Sequence, residues 1–387
     1  MWACLTRASI PASEGRPTVN ILPNNLLRQY QLHAAEYEQK ALEVLRGGWY
    51  ILGNEVSAFE AEWAAYIGAK HCVGLASGLD ALEISFALLG LGPGDEVIVS
   101  ANAYIACVLG ITRCGATPVF VEPDEYYNID AGRVEAAVTP RTRAILAVHL
   151  FGQSCDMTVL TAIARRHSLY LVEDCAQSHG NRWGRQTVGT FGNVGCFSFY
   201  PTKGCGAFGD AGAIVTDDDA LADRFRVYRN YGSRVRYHNE VRGANSRLDE
   251  LQAGLLRVKL THLNECNAER CRLAAEYDRA LGGLSWLQTP RVRPGADSTW
   301  HQYVIRTAYR DALAGFLQAR GVGTLVHYPI PPHLSEAYAD LGYRRGDFPL
   351  AERQADEVLS LPLYNGMTED EQAYAIEQIC AFHPKEA

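Results

Sequence analysis

Short apolar runs alternate with longer helical patterns from about residue 70 to residue 216. The runs His71–Leu75, Glu96–Ser100, Thr117–Val121, Ala144–Val148, Tyr170–Glu173, Val194–Phe199 and Gly212–Thr216 have the length and residue types of buried strands. Between them, segments such as Leu79–Leu89, Ile105–Cys114 and Val159–His167 read as helices. Strand and helix alternating at this spacing predict an α/β fold with a mostly parallel, seven-stranded sheet between helices. The last two runs are joined by only a lysine turn, which is short for a parallel crossover, so one of them is expected to run antiparallel.

After Thr216 the chain becomes helical and charged. Leu248–Leu263 keeps an apolar stripe at helical spacing, and the pattern continues to about Leu281 with Asn264 as a break. A smaller α/β region follows from near Trp286. It holds a strand over Gln302–Arg306, a helix over Asp311–Arg320 and the proline-rich Tyr328–Pro332. The expected division is a flexible lead over residues 1–18, a large domain over 19–262 and a small C-terminal domain over 263–387.

Composition narrows the function. With 48% apolar and 21% charged residues the chain reads as an ordinary globular protein. A net charge of −8 without a Lys/Arg-rich run gives no reason to expect nucleic acid as a partner. No apolar stretch approaches the ~18–20 residues of a membrane span, and Met1–Pro17 lacks the apolar block of a secretion signal. The eleven cysteines are scattered without a Cys-x-x-Cys pair. Cys72, Cys107 and Cys196 lie in apolar runs and read as small buried hydrophobes. A reducing, cytoplasmic setting without a metal site follows.

Four segments carry unusual residues at the expected carboxyl ends of strands, where open parallel sheets bind ligands. Lys203 lies in Ser198-Phe199-Tyr200-Pro201-Thr202-Lys203-Gly204, between two apolar runs. Burial disfavours an ammonium there, so the amine either finds a partner or acts as a nucleophile on a carbonyl. Ser77-Gly78-Leu79-Asp80 opens a helix and reads either as an N-cap or as a phosphate cradle. In Glu173-Asp174-Cys175-Ala176-Gln177, Asp174 serves either as a cap or as the partner of a protonated ring nitrogen, with Gln177 near a ring oxygen. Tyr104 either packs on the core or covers an aromatic cofactor. A lysine amine, a carboxylate, a phosphate cradle and an aromatic plate are together what pyridoxal phosphate requires.

The chain resembles the DegT-type sugar aminotransferases, a branch of the fold-type-I pyridoxal phosphate enzymes, from about Val19 to Phe382. The motifs that carry the resemblance begin with Leu91-Gly92-Pro93-Gly94-Asp95-Glu96-Val97-Ile98-Val99 and Ala147-Val148-His149-Leu150-Phe151-Gly152. The Asp174 and Lys203 segments follow. Tyr228-Arg229-Asn230-Tyr231-Gly232, Asn245-Ser246-Arg247-Leu248-Asp249-Glu250-Leu251-Gln252-Ala253 and Val326-His327-Tyr328-Pro329 complete them.

The resemblance implies that Lys203 carries the cofactor, Asp174 pairs with its ring nitrogen, Gln177 sits near the ring hydroxyl and Tyr104 stacks on the ring. It further implies that Ser198, Gly78 and Leu79 hold the phosphate. Asn245 would reach that phosphate from the other subunit of a homodimer with shared active sites. Tyr231, His327 and Tyr328 are candidates for the substrate wall. The implied reaction moves an amino group, from glutamate, to the keto group of a nucleotide-linked sugar, as in amino-sugar biosynthesis. Loop residues around Gly78 and Tyr104 resemble members acting on dTDP-linked 3-keto-6-deoxy sugars. The alternatives are a 4-keto nucleotide sugar, or a dehydratase, whose family members carry histidine in place of Lys203. The sequence departs from the common pattern at Gly204-Cys205, where Asn-Leu is more usual, and at Ser77-Gly78-Leu79-Asp80, which replaces a Gly-Thr pair.

Overall fold

The structure is a computed structural model that describes residues 20–384. The expected lead over residues 1–18 lies outside them.

A helical segment, α1 (Ala34–Gly47) and α2 (Asn54–Ile67), precedes the sheet. The sheet and its crossovers follow as β1 (His71–Leu75), α3 (Gly78–Leu88), β2 (Glu96–Ser100), α4 (Ile105–Arg113) and β3 (Thr117–Val121). Then come β4 (Thr142–Val148), α5 (Met157–Arg166), β5 (Tyr170–Asp174), β6 (Val194–Ser198) and β7 (Gly212–Thr216).

The strand order is β1-β7-β6-β5-β4-β2-β3. Strand β7 pairs antiparallel with both β1 and β6, and the remaining pairs are parallel. The short lysine turn therefore returns the chain in the opposite direction, as its length requires. Because β7 runs backwards, its first residue, Gly212, stands at the same edge as the last residues of β1 and β6.

Apolar side chains fill both faces. Val97 and Val99 of β2 join the core beneath α3 and α4, while Ile98 joins Met157, Leu160 and Leu171 on the other face. Burial on both faces explains why these strands read as unbroken apolar runs.

Beyond the sheet, α6 (Asp219–Tyr228), α7 (Glu250–Thr261) and α8 (Leu263–Leu281) lead into the C-terminal region. The helical pattern breaks at His262, two residues before Asn264. There β8 (Tyr303–Arg306) pairs antiparallel with β9 (Val358–Leu361), flanked by α9 (Arg310–Gln318), α10 (Pro349–Glu357) and α11 (Glu369–Cys380). Their core gathers Leu273, Tyr277, Tyr303, Ile305, Leu317, Leu359 and Ile379. Ile21 joins it, so the start of the described chain packs on residues from near its end.

Candidate active site

The carboxyl edge of β1, β2, β5 and β6 collects the chemistry. After β1, Ser77 caps α3, its hydroxyl accepting from the Asp80 amide at 3.1 Å. The cap reading therefore holds, and it leaves the amides of Gly78 and Leu79 without an acceptor among the described residues. Two free amides at the positive end of a helix dipole suit an anion.

Ser198 ends β6 directly opposite. A Cβ at Gly78 would lie 2.4 Å from the Ser198 Cβ, so only glycine lets the helix start approach this hydroxyl. Gly212 closes the cradle from β7, where a Cβ would lie 2.3 Å from the Ser77 carbonyl carbon.

Asp174 ends β5 and is buried. Its Oδ1 accepts from the Ala176 amide at 3.0 Å and its Oδ2 from the Cys107 thiol at 3.1 Å. It closes a turn rather than capping a helix, since no helix follows it. The preceding residue, Glu173, has a structural task. Its carboxylate accepts from the amides of Gly189, Phe191 and Gly192 and meets His149 Nε2 at 3.1 Å, which holds the loop that feeds β6.

Gln177 accepts from the Phe151 amide at 2.6 Å and donates to the Tyr328 hydroxyl at 3.1 Å. Its orientation is thus set from both ends. Tyr328 in turn lies against Tyr104, ring centroids 4.7 Å apart. His327 meets Ser360 Oγ at 2.8 Å. Burial, and secondarily the Lys203 charge, push its imidazole down to about 4, so it is neutral near pH 7. Asn102, Phe151, His327, Tyr328, Pro331 and Gln354 line a narrow cleft beside this edge.

Lys203 sits in the turn after β6, its amide bonded to the Tyr200 carbonyl at 2.8 Å. Burial lowers the amine below the ordinary lysine value, opposed by the nearby Asp174 carboxylate. Among the described residues no carboxylate forms an ion pair with it. The lysine loop is held from behind by His179, whose Nδ1 accepts from the Cys205 amide at 3.0 Å. His179 packs among Trp63, Phe197 and Phe199, and burial drives its imidazole down to about 3.

Lys203, Asp174, Gln177, Tyr104, Ser198, Gly78, Leu79, His327 and Tyr328 thus share one edge and the region facing it. Asn245 and Tyr231 stand apart on an exposed segment, held together by the Asn230–Asn245 bridge and the Tyr231 amide on the Ala244 carbonyl. That segment ties to the cradle through Ser246, which donates to Asp80 Oδ2 at 2.7 Å and accepts from the Ala76 amide at 3.2 Å.

Cys107, legible in the sequence only as a small buried hydrophobe, and Phe151 and His179, outside the expected site, also hold site residues in place. Cys107 lies three residues after Tyr104, the exposed N-cap of α4, and is itself buried in the first turn of that helix. Its burial was legible, but its hydrogen bond to Asp174 depends on how β2 and β5 are placed.

A mostly parallel sheet whose edge presents a lysine amine, a carboxylate and an anion cradle is the frame of a lysine-dependent α/β enzyme. The DegT/DnrJ/EryC1/StrS aminotransferase family model matches residues 31–380, and the chain belongs to that family. It is 53% identical over 330 residues to the Saccharopolyspora erythraea "erythromycin biosynthesis sensory transduction protein EryC1", covering 85% of this chain and 90% of that one. It is 49% identical over 340 residues to a Streptomyces venezuelae dTDP-3-amino-3,4,6-trideoxy-alpha-D-glucose transaminase, covering 88% and 90%. Among solved structures, S. venezuelae DesV in complex with a ketimine intermediate superposes with a TM-score of 0.92 at 47% identity, covering 94% of this chain and 98% of that one. The Bacillus subtilis protein NtdA with bound cofactor PMP gives a TM-score of 0.88 at 29% identity, covering 95% and 86%.

Proposed function

We propose that the chain is a pyridoxal phosphate-dependent aminotransferase that moves an amino group from glutamate to the keto group of a nucleotide-linked sugar. The observation that carries this reading is the shared sheet edge, where a lysine amine held below its ordinary value stands with a buried carboxylate and two helix amides that have no acceptor among the described residues.

The residues present fit the cofactor. Gly78 and Leu79 offer amides for its phosphate that have no acceptor among the described residues, with the Ser198 hydroxyl opposite. Asp174 has one donor on each oxygen and so retains lone pairs for a ring nitrogen, Gln177 directs its amide group at the Tyr328 hydroxyl, and the Tyr104 ring lies against Tyr328 beside them. When bound, pyridoxal phosphate supplies an electron sink for the carbanion formed at the amine-bearing carbon.

The chain does the rest. Asp174 holds a proton on the ring nitrogen by charge complementarity. Lys203, as a free amine, takes the proton from the substrate carbon and returns it at another position. A lysine kept fully protonated could not accept that proton, and burial lowers this barrier. His327 and Tyr328 form the wall beside the sugar, and neutral His327 can donate or accept a hydrogen bond there without adding charge. Tyr231 stands apart from this edge within one chain, so its place in the wall belongs to the assembled homodimer. Asn245 of the partner subunit reaches the phosphate in a homodimer.

The substrate we infer is a dTDP-linked 3-keto-6-deoxy sugar. The 3-amino sugar in the name of the S. venezuelae relative supports the position, and the presence of Lys203 supports amino transfer over dehydration. No described helix is long and apolar enough to cross a membrane, and the proposed place of action is the cytoplasm, where nucleotide sugars are made.

The test is incubation of cofactor-loaded protein with glutamate and a dTDP-3-keto-6-deoxy sugar, followed by NMR of the product. The expected product carries nitrogen on the sugar at carbon 3. Nitrogen at carbon 4 would overturn the substrate assignment. Loss of sugar oxygen without incorporation of nitrogen would overturn amino transfer.

A further inference from the structure

Asp174 is not held by backbone alone. Its two carboxylate oxygens have different donors, the Ala176 amide on Oδ1 and the Cys107 thiol on Oδ2. Cys107 is 1% exposed and sits in the first turn of α4, one turn after Tyr104. That turn emerges from the end of β2, two strands from β5 in the sheet. The thiol therefore reaches the carboxylate across the sheet edge, on the oxygen that the Ala176 amide leaves free.

We propose that Cys107 is a positioning residue for Asp174, fixing the rotamer of the carboxylate while drawing little charge from it. This rests on the reading of Asp174 as the partner of the cofactor ring nitrogen. A carboxylate offers about four lone-pair positions. One is taken on each oxygen, by the amide and by the thiol, so the carboxylate is fixed and those remaining point the same way in every molecule.

The choice of sulfur matters. A thiol is a weak donor, whereas a hydroxyl forms a shorter and stronger bond to a carboxylate. The weak donor leaves Asp174 with most of its charge, which is what a group that must hold a ring nitrogen protonated needs. The thiol stays protonated, since burial and the Asp174 charge both raise it well above the ordinary cysteine value. Cys107 therefore donates and does not compete as a second anion.

The experiment uses the full chain, loaded with pyridoxal phosphate labelled with ¹⁵N in the ring, and three variants. Cys107→Ala removes the donor, Cys107→Val removes it while filling the space, and Cys107→Ser keeps a donor. Cofactor affinity and the ring-nitrogen chemical shift are measured, with thermal unfolding alongside. Ala and Val are expected to weaken the cofactor about five- to tenfold, the scale of one buried hydrogen bond. Ser is expected to restore most of that affinity but to move the ring-nitrogen resonance toward the unprotonated position. If Val matches the wild type in affinity and shift, Cys107 only fills space and the proposal falls. If all three variants lose thermal stability with affinity and shift unchanged, it falls equally. A wild-type protein that takes up no cofactor would overturn the cofactor reading itself, whereas silent variants of a loading protein overturn only the role of Cys107.

Discussion

At the scale of single residues, Lys203 carries the account. A lysine between two apolar runs is ambiguous, because a turn can lift it into water. The structure gives it a depressed amine beside a carboxylate and no ion-pair partner among the described residues. Lys203→Ala is therefore expected to lower turnover by about 10⁴-fold or more, since it removes both the attachment point and the proton carrier. Steady-state kinetics on a cofactor-saturated sample measure this, and turnover near the wild-type rate would count against the mechanism. Gly78→Ala belongs to the same scale. Its new methyl would stand against Ser198 and force the cradle open. An overpacked contact costs about 1–3 kcal/mol, so cofactor affinity is expected to fall at least several-fold while the protein stays folded, as equilibrium dialysis would show.

At the scale of elements, the sheet was legible and its edge was only partly so. Five-residue apolar runs bounded by turn formers define β1, β2, β3 and β7 to the residue, because strands buried on both faces leave no polar position inside. Gln177 illustrates what was not legible. Its proximity to Asp174 follows from the chain, but its partners Phe151 and Tyr328 lie 26 and 151 residues away. Phe151 itself takes φ +60°, a left-handed conformation that no side-chain pattern announces. The helix break at His262 is similar, since His and Asn have comparable helix propensity and propensity alone does not choose between them.

An element-level test concerns Glu250. This buried carboxylate from the start of α7 accepts from the amides of Gly53, Glu55 and Val56 and so caps α2 from a distance. Glu250→Gln retains one acceptor oxygen but loses the charge that complements the helix N-terminus. It is expected to cost about 1–3 kcal/mol, read as a lower denaturation midpoint at unchanged m-value. An unchanged midpoint would show that the cap contributes nothing.

At the scale of the whole molecule, acid stability and assembly follow from what is buried. His179 and His327 are driven to about 3 and about 4, and burial also takes His301 well below its ordinary value. In the unfolded chain these imidazoles protonate near 6.5. Below that pH the unfolded state binds more protons than the folded one. Stability is therefore complete above about 6.5 and falls as pH drops toward 4, by at most about 1.4 kcal/mol per pH unit for each group. The apoprotein's melting temperature should decline through that window, and His327→Gln should make the decline shallower. A flat profile between those values would show that the histidines titrate alike in both states. Assembly is tested by mixing. If Asn245 serves the partner's site, inactive Lys203→Ala and Asn245→Ala proteins should regain activity when exchanged into mixed dimers, and no regain would place Asn245 outside the shared site.

The central claim is that Lys203 is the residue that carries the cofactor. It is tested most directly by loading the protein with pyridoxal phosphate, reducing it with borohydride and sequencing the modified peptide by mass spectrometry. The expected result is a single pyridoxyl group, on Lys203, that is absent when glutamate is added before reduction. A label on another lysine, or no label on a protein that binds the cofactor, would contradict it.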